Sequence, residues 1–499
     1  MIDSNAPIIV GVGQRTNRVE TTDQLREPLD LMVQCAEDAA ADAGIALPPA
    51  LDSVTVINLI SHPYADPATQ LAQRLGCTPA ERLTTSMGGN SPQWRVNETA
   101  DRIARGEIGL ALIAGAEAFH SLKIARREAV QLRWGPTGEP GAIAGDARSG
   151  SNEVEKAHNA HLPIRIYPLF ENALRAARGI SIDDHIASIG RLCSDLSRVA
   201  ARNPYAWFRD EKSSEQITAE GPDNRMICFP YRKFMNAIMM VDQGAALIMT
   251  SVGRARELGI PESKWVYLRG CGDANDHWFV SDRVDFHTSP ALRLAGRRAM
   301  QQAGVGPDDL TFVDLYSCFP SALQIGARML GIADDGSREL TLTGGLPYHG
   351  GPGSNYGTHA IAQLVGRLRD VTTPSYGVTT GVGWYMTKHS VGVYSNEPSP
   401  TPWLRHDVSG DQANLDSETS PRVVERATGP ATIETYTVAH DRDGAPELGI
   451  VAVRLADGSR AWANTTDREL LKAMETAEFI GTAVRVRRVD GEETNRLEI

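Results

Sequence analysis

Cysteine is scarce and scattered in this chain. Cys35, Cys77, Cys193, Cys228, Cys271 and Cys318 are spread over 499 residues, and no Cys-x-x-Cys pair occurs. That spacing supports neither a structural zinc site nor a thioredoxin-type redox pair, so no metal is expected. Isolated thiols suit a reducing compartment, and a cytoplasmic location is the expectation. No apolar run reaches the roughly 18 residues of a spanning helix. The first seven residues are polar and lack the charged-then-apolar order of a secretory leader. Membrane insertion is therefore not expected. Basic runs are missing as well: 50 Lys and Arg face 62 Asp and Glu, for a formal charge of −12. The pairs Arg126-Arg127 and Arg487-Arg488 are too short to make a basic face, which sets aside a nucleic-acid partner.

At about 100–200 residues per domain, the length implies two to four domains. From residue 7 to about 394, short apolar runs alternate with amphipathic stretches, the pattern of a layered α/β protein. Residues 8–13 predict a buried strand ending in glycines. Gly11-Val12-Gly13 lacks the rest of a dinucleotide fingerprint and reads as a strand-end turn. Residues 28–43 predict a helix with proline in its first turn, and 54–60, 110–115 and 245–250 predict strands. Residues 120–225 break the alternation, with loop chemistry at 134–141 and helical stretches near 167–178, 183–191 and 193–202. An excursion of that length covers an active-site mouth or an interface. His158 and His161 within it lack a carboxylate partner pattern and read as solvated. Residues 396–421, rich in Pro, Ser, Asp and Asn, read as a linker. After it, alternating segments, Asp-Gly turns and one short helix capped by Asp467 predict a small β-barrel, of the oligonucleotide/oligosaccharide-binding type. No basic-aromatic interleaving accompanies it, so docking or covering is its expected role.

Two glycine turns echo one another. Gly88-Gly89-Asn90-Ser91 precedes one helical stretch, and Gly350-Gly351-Pro352-Gly353-Ser354 precedes another. Each delivers free backbone N–H groups and a helix dipole, which suits an oxyanion, and two such starts at one pocket would stabilise carbonyl chemistry. Tight helix–strand connections would read the same way. Three more segments follow in order: Val241-Asp242-Gln243-Gly244-Ala245-Ala246-Leu247, Asp314-Leu315-Tyr316-Ser317-Cys318-Phe319 and Thr379-Thr380-Gly381-Val382-Gly383.

With these five segments in this order, residues 7–395 resemble the thiolase superfamily, most closely the sterol-carrier-type branch and its thiolase-like proteins. The resemblance implies a duplicated, five-layered α/β/α/β/α core, here with an added C-terminal β-rich domain. It divides the chain into an N-terminal half (1–119 with 226–254), a lid (120–225), a C-terminal half (255–395), the linker and the added domain (422–499). Gly106-Glu107 and Gly115-Ala116-Glu117 match the family, but the reactive positions do not. Gly89 stands where the family carries its nucleophilic cysteine, Gly351 where it carries the activating histidine, and Thr379 where it carries the acid/base cysteine. Tyr316 takes the place of the residue that helps bind the thioester oxygen.

The resemblance implies an acyltransferase of the acetyl-CoA acetyltransferase kind whose thiolase activity is absent, because glycine cannot be acylated. Ser91 lacks an adjacent base and is a poor substitute. Tyr316 would donate a hydrogen bond or, with a lowered pKa, act as base; filling the vacated pocket is the plainer reading, and the same holds for Tyr356. His349 lies beside the lost histidine position, or is simply a turn histidine, with Tyr348 next to it. Ser91, Cys318, Phe319 and Gly381 would line a CoA pocket, Cys318 being inherited from the branch. Three functions follow. The first is a protein of lipid or sterol metabolism that binds CoA or an acyl-CoA, with no other cofactor. The second is an aldol-type C–C lyase using tyrosine. The third is a scaffold subunit of an acyl-CoA enzyme, as monomer or homodimer.

Overall fold

The computed structural model describes residues 2–46, 51–489 and 491–499; Met1, the first residue of the polar start, lies outside them. Ten strands form one sheet. In chain order they are β1 (Pro7–Thr16), β2 (Ser53–Val56), β3 (Glu81–Thr85), β4 (Leu110–Ala118) and β5 (Ile143–Ala144), then, after a two-stranded hairpin of β6 (Met226–Cys228) and β7 (Tyr231–Arg232) that belongs elsewhere, β8 (Asp242–Ser251), β9 (Val266–Asn275), β10 (Leu310–Asp314), β11 (Tyr376–Gly383) and β12 (Lys388–Ser395). Their spatial order is β10-β11-β12-β9-β1-β8-β4-β2-β3-β5. Two half-sheets meet where Ile8 and Ile9 of β1 pair with Tyr267 and Val266 of β9. β4 is buried along its whole length, as is β8 up to Ser251, which is why both read as unbroken apolar runs.

The helix Pro28–Ala43 covers β1, β8 and β4, and the helix Pro290–Ala303 covers β9 and β12 in the same way. The helices Ser91–Ala104 and Tyr356–Arg369 run between the half-sheets and touch strands of both. The result is the α/β/α/β/α layering expected. The duplication explains Gly11-Val12-Gly13, which lies inside β1 rather than at a strand-end turn. A Cβ on Gly11 or Gly13 would come within 2.1 and 2.0 Å of the carbonyl oxygens of Ala39 and Cys35. Gly270 and Gly272 of β9 stand in the same relation to Ala299 and Ala295, at 2.1 Å each. The glycines let each outer helix lie directly on its strand.

The edge at β3 is covered from within the chain. Thr84 and Ser86 donate their N–H groups to the carbonyls of Ala142 (2.9 Å) and Ala144 (2.7 Å), so β5 lies parallel to β3. The preceding strap is tied down by Ala65 N to Pro136 O (2.9 Å) and Asp66 N to Glu139 O (2.8 Å). An exposed strand edge is a template for pairing with another chain, and here the Thr84–Thr85 end of that template is filled.

Residues 120–225 form a helical layer, in which the stretches near 183–191 and 193–202 are one helix, Ile182–Arg202. The C-terminal unit closes as a five-stranded barrel from β13 (Gly429–His440), β14 (Pro446–Leu455), β15 (Arg460–Thr465), β16 (Ala483–Arg488) and β17 (Asn495–Glu498), with β13 pairing both β14 and β16. The β6–β7 hairpin extends this barrel through Cys228 opposite Ala439, so the core strands resume at Asp242 rather than at 226.

The barrel is bolted to the lid. His158 is buried rather than solvated: its Nε2 accepts from Asn495 N at 3.0 Å, and its carbonyl accepts from Asn464 Nδ2 at 3.1 Å. Thr435 Oγ1 donates to Leu169 O (2.6 Å) and Asn172 Nδ2 to Tyr436 O (2.8 Å). His161 is half-buried, with no partner at Nδ1. The segment 396–421 is not a free tether. It holds the helix Ser409–Asp416 and docks through Arg405 on Asp273 (2.7 Å) and Glu98, and through Asp411 on Arg298.

Candidate active site

The turn 87–90 and the start of the helix Ser91–Ala104 bring the first group of residues together. Gly89 has no positive φ, so its backbone would accept a side chain. Its surroundings would not: a Cβ there would lie 2.0 Å from Tyr316 Oη and 2.4 Å from Cζ. The ring of Tyr316 occupies the volume that a nucleophile at 89 would need. Ser91 is buried and its hydroxyl is committed to Ser86 O at 2.9 Å. Gly381 of β11 presses on the same turn, where a Cβ would come within 2.7 Å of Asn90 Cα. Thr379 donates to Gln93 Oε1 at 2.6 Å, and Thr380 Oγ1 accepts from Tyr316 N at 2.8 Å. At Gly351, by contrast, a Cβ would press only on the flexible end of Leu346, 3.3 Å from its Cδ2.

Behind Tyr316 stands a chain of rings. Tyr356 meets Tyr316 edge-on at 5.5 Å, His349 meets Tyr356 at 5.8 Å, and His359 meets His349 at 4.9 Å. Tyr356 Oη pairs with Thr343 Oγ1 (2.6 Å) and donates to Asp314 Oδ1 (3.3 Å). Asp314, at the end of β10, also accepts from Leu342 N (2.7 Å), Thr343 N (3.1 Å) and Thr341 Oγ1 (3.0 Å). Burial raises its carboxyl to about 6 against those hydrogen bonds, which leaves it mostly ionised at neutral pH. Burial also raises the phenols of Tyr316 and Tyr356. Tyr316 is therefore a neutral hydrogen-bond donor, and the lowered pKa needed for a resting base is not there.

His349 is fully buried, not a surface turn residue. Its Nδ1 faces Gly350 O at 3.2 Å, so Nδ1 carries the proton and Nε2, which has no protein partner, presents a lone pair. Burial lowers its pKa to about 4. The sign follows directly. Between pH 6.5 and 4 the unfolded chain takes up a proton at this position that the folded one refuses, so stability falls on acidification. The loss is on the order of 3 kcal/mol. Asp314 acts in the opposite direction, since its raised pKa favours the folded state as pH falls from about 6. His349→Asn is expected to flatten the acid loss, measured as denaturant midpoints at pH 7 and pH 4.5. An unchanged difference between the two pH values would refute the assignment.

The structure separates Cys318 and Phe319 from this group and turns them toward the lid. Phe319 stacks on Tyr167 (4.5 Å, 13°) and on Tyr231 (5.8 Å). The Cys318 thiol beside Tyr167 is pushed up to about 12 by burial and is no resting nucleophile. Tyr348 is buried with its hydroxyl unpartnered. Sequence reasoning passed over Asp314, Thr343, Gln243 and His359. Gln243 Nε2 donates to His349 O at 2.8 Å, and His359 Nδ1 pairs with Gln14 Oε1 at 3.0 Å. Asp314 and Gln243 sat inside segments already singled out, and their polar character within apolar strands was the available signal.

A duplicated α/β/α/β/α core whose two glycine turns meet where Gly88 N donates to Ser354 Oγ at 3.1 Å, with the Tyr316 ring packed against Gly89, defines a thiolase-fold protein. Comparison with known proteins agrees. Residues 272–396 match a thiolase C-terminal domain-like model, and residues 411–492 match the additional C-terminal domain of thiolase-like protein type 1. The crystal structure of a monomeric SCP2-thiolase-like protein type 1 from Mycobacterium smegmatis is 35% identical, covers 100% of both chains and superposes with a TM-score of 0.86. The chain belongs to this family of SCP2-thiolase-like proteins type 1. It is also 26% identical to the 17-hydroxy-3-oxo-4-pregnene-20-carboxyl-CoA lyase of Mycobacterium tuberculosis, over 72% of this chain and 92% of the lyase. An Ltp2-ChsH2(DUF35) aldolase shares the fold at 18% identity and a TM-score of 0.58, over 80% of this chain and 100% of that one. Among the described residues no helix is long and apolar enough to cross a membrane.

Proposed function

We propose that this protein binds a CoA ester of lipid or sterol metabolism and carries out neither thiolysis nor Claisen condensation. One observation carries the reading: the Tyr316 phenol lies where a side chain at 89 would be. Without an acyl-enzyme both reactions lose their intermediate, and Ser91 has no free hydroxyl to replace it. In the two glycine turns Gly88 N is taken by Ser354 Oγ (3.1 Å), Ser91 N by Gly88 O (3.0 Å), Gly351 N by Ile238 O (2.8 Å) and Gly353 N by Gly351 O (2.8 Å). A thioester oxygen would be met by the remaining N–H groups of these turns. The covered β3 edge favours a chain acting as a monomer, as does the monomeric relative. Calorimetric titration with CoA, acetyl-CoA and a 3-hydroxyacyl-CoA tests the binding. Saturable heat is expected with at least one of them. No heat and an unshifted melting temperature with all three would overturn the reading.

A second reading, aldol-type C–C cleavage of a hydroxyacyl-CoA, is favoured by Asp314 standing behind Tyr356 and by the CoA-lyase relative. Such a step needs a proton acceptor for the hydroxyl and a stabiliser for the enolate, but no covalent intermediate. Tyr356 backed by ionised Asp314 would supply the first and Tyr316 the second. Tyr316→Phe is expected to lower turnover on an accepted 3-hydroxyacyl-CoA by about 10²-fold; unchanged turnover removes the tyrosine from the mechanism.

A further inference from the structure

The chain holds seven lysines, and the other 43 of its 50 basic residues are arginine. Six of the lysines (Lys123, Lys156, Lys212, Lys233, Lys264 and Lys472) are exposed or half-exposed. Lys388, the first residue of β12, is the single buried one, at 5% exposure, and it points at the turn that precedes Gly89. Its Nζ donates to Met87 O at 2.6 Å and to Asp146 O at 3.4 Å, which leaves one N–H direction uncommitted. Two glycines let the end of Lys388 lie directly against the backbone of this turn and of β11. A Cβ on Gly88 would lie 3.0 Å from Nζ, and one on Gly383 would lie 2.8 Å from Cε. The same two positions border the buried Oδ1 of Asn90, which has no partner. Met87, whose carbonyl holds Nζ, is itself 39% exposed, so the amine sits one residue layer from solvent.

An arginine would serve as well as a lysine for tying a turn to a strap. What it cannot do is lose its proton and become a nucleophile. Burial lowers the Lys388 ammonium to about 8, against the opposing pull of Asp146 and with help from Arg148. At pH 8 about half of it is free amine, whereas an ordinary lysine is neutral in well under one molecule in a hundred.

We propose that Lys388 is an acyl acceptor: its amine takes the acyl group of a CoA ester held against the Gly88-Gly89 turn. The proposal rests on the CoA-ester reading above. In the step, the lone pair of neutral Nζ attacks the thioester carbonyl carbon and a C–N bond forms. The C–S bond then breaks, and the departing CoA sulfur leaves as the thiol with the proton lost from Nζ. An amide on Lys388 and free CoA are the products, with no oxidant or further reactant required.

The test uses the full-length wild-type protein, so no variant needs to fold. It is incubated with acetyl-CoA at pH 8, and acetylation of each of the seven lysines is followed by peptide mass spectrometry. Lys388 is expected to be acetylated at least about 10-fold faster than any of the six surface lysines. Its rate should level off above about pH 8, while theirs continue to climb. Lys388→Arg should remove the mark and keep the melting temperature. Acetic anhydride, which needs no docking, is run in parallel. If CoA binds by calorimetry but Lys388 is modified no faster than the surface lysines, the proposal falls and the CoA-ester reading stands. Labelling of Lys388 by the anhydride but not by acetyl-CoA overturns it as well, since the thioester is then not presented to the amine. If CoA neither binds nor acylates, both fall together.

Discussion

Gly89→Cys is expected to destabilise the protein by about 1–3 kcal/mol, although the backbone at 89 would accept a side chain without strain. The cost comes from one neighbour. A Cβ at 2.0 Å from Tyr316 Oη forces a buried ring to move, and Tyr356 stands edge-on behind that ring, closing its way back. Tyr316→Asn alone should also destabilise, by about 3 kcal/mol, because it opens a cavity where an aromatic ring packed. Made together, the two substitutions should cost less than their sum by at least about 1 kcal/mol, since each supplies the space the other lacks. Thermal and denaturant melts of the four proteins measure this directly. Strict additivity would show that the ring does not fill the position after all. The double variant is not expected to gain thiolysis, because Gly351 and Thr379 supply neither the base nor the second thiol.

Arg460→Met carries the second large expectation. Arg460 is fully buried at the junction of barrel and core; it pairs with Glu434 Oε2 at 2.7 Å and donates to the carbonyls of Ser281 (2.8 Å) and Arg283 (2.5 Å). Beside it, Trp462 Nε1 donates to Ser281 Oγ at 2.9 Å, and Glu155 Oε1 accepts from Ser281 N at 2.7 Å. Removing the guanidinium leaves two buried carbonyls without their donor and Glu434 with Arg454 as its remaining partner. A loss of about 2–4 kcal/mol is expected. The readouts are an early unfolding transition for the barrel and faster protease cutting between 396 and 421. A single transition at the wild-type temperature would show that the barrel is held by its apolar contacts instead.

The layering of the core was legible because its strands are long, apolar and regularly spaced, and because the glycine turns recur in both halves. The barrel was legible from its Asp-Gly turns and from Asp467, whose carboxylate caps the helix Arg468–Thr476 by accepting from the N–H groups of Glu469 (3.0 Å) and Leu470 (3.1 Å). Pairing between distant segments was not legible. Residues 226–232 have too few side chains to announce which sheet they join, and His158 looks polar until the strand that meets it, 337 residues later, is in place. At the site, the residue types at 89, 351 and 379 could be read position by position. How they pack could not, since the fit of Tyr316 against Gly89 and the carboxylate behind Tyr356 depend on chain segments 227 and 42 residues apart.

The strap that lays β5 along β3 has a consequence for competition. A strand carried by a strap that is itself pinned at Ala65 and Asp66 faces that edge at an effective concentration in the millimolar range. A second copy of the chain, at micromolar concentration in solution, would have to displace it at a disadvantage of about 10³, or roughly 4 kcal/mol, before gaining a single intermolecular contact. Dilution therefore costs this edge nothing. An assembly through the Thr84–Thr85 end of β3 would first have to displace this strap, and the integrity of the turn at Gly89, which follows that end, does not depend on finding a partner.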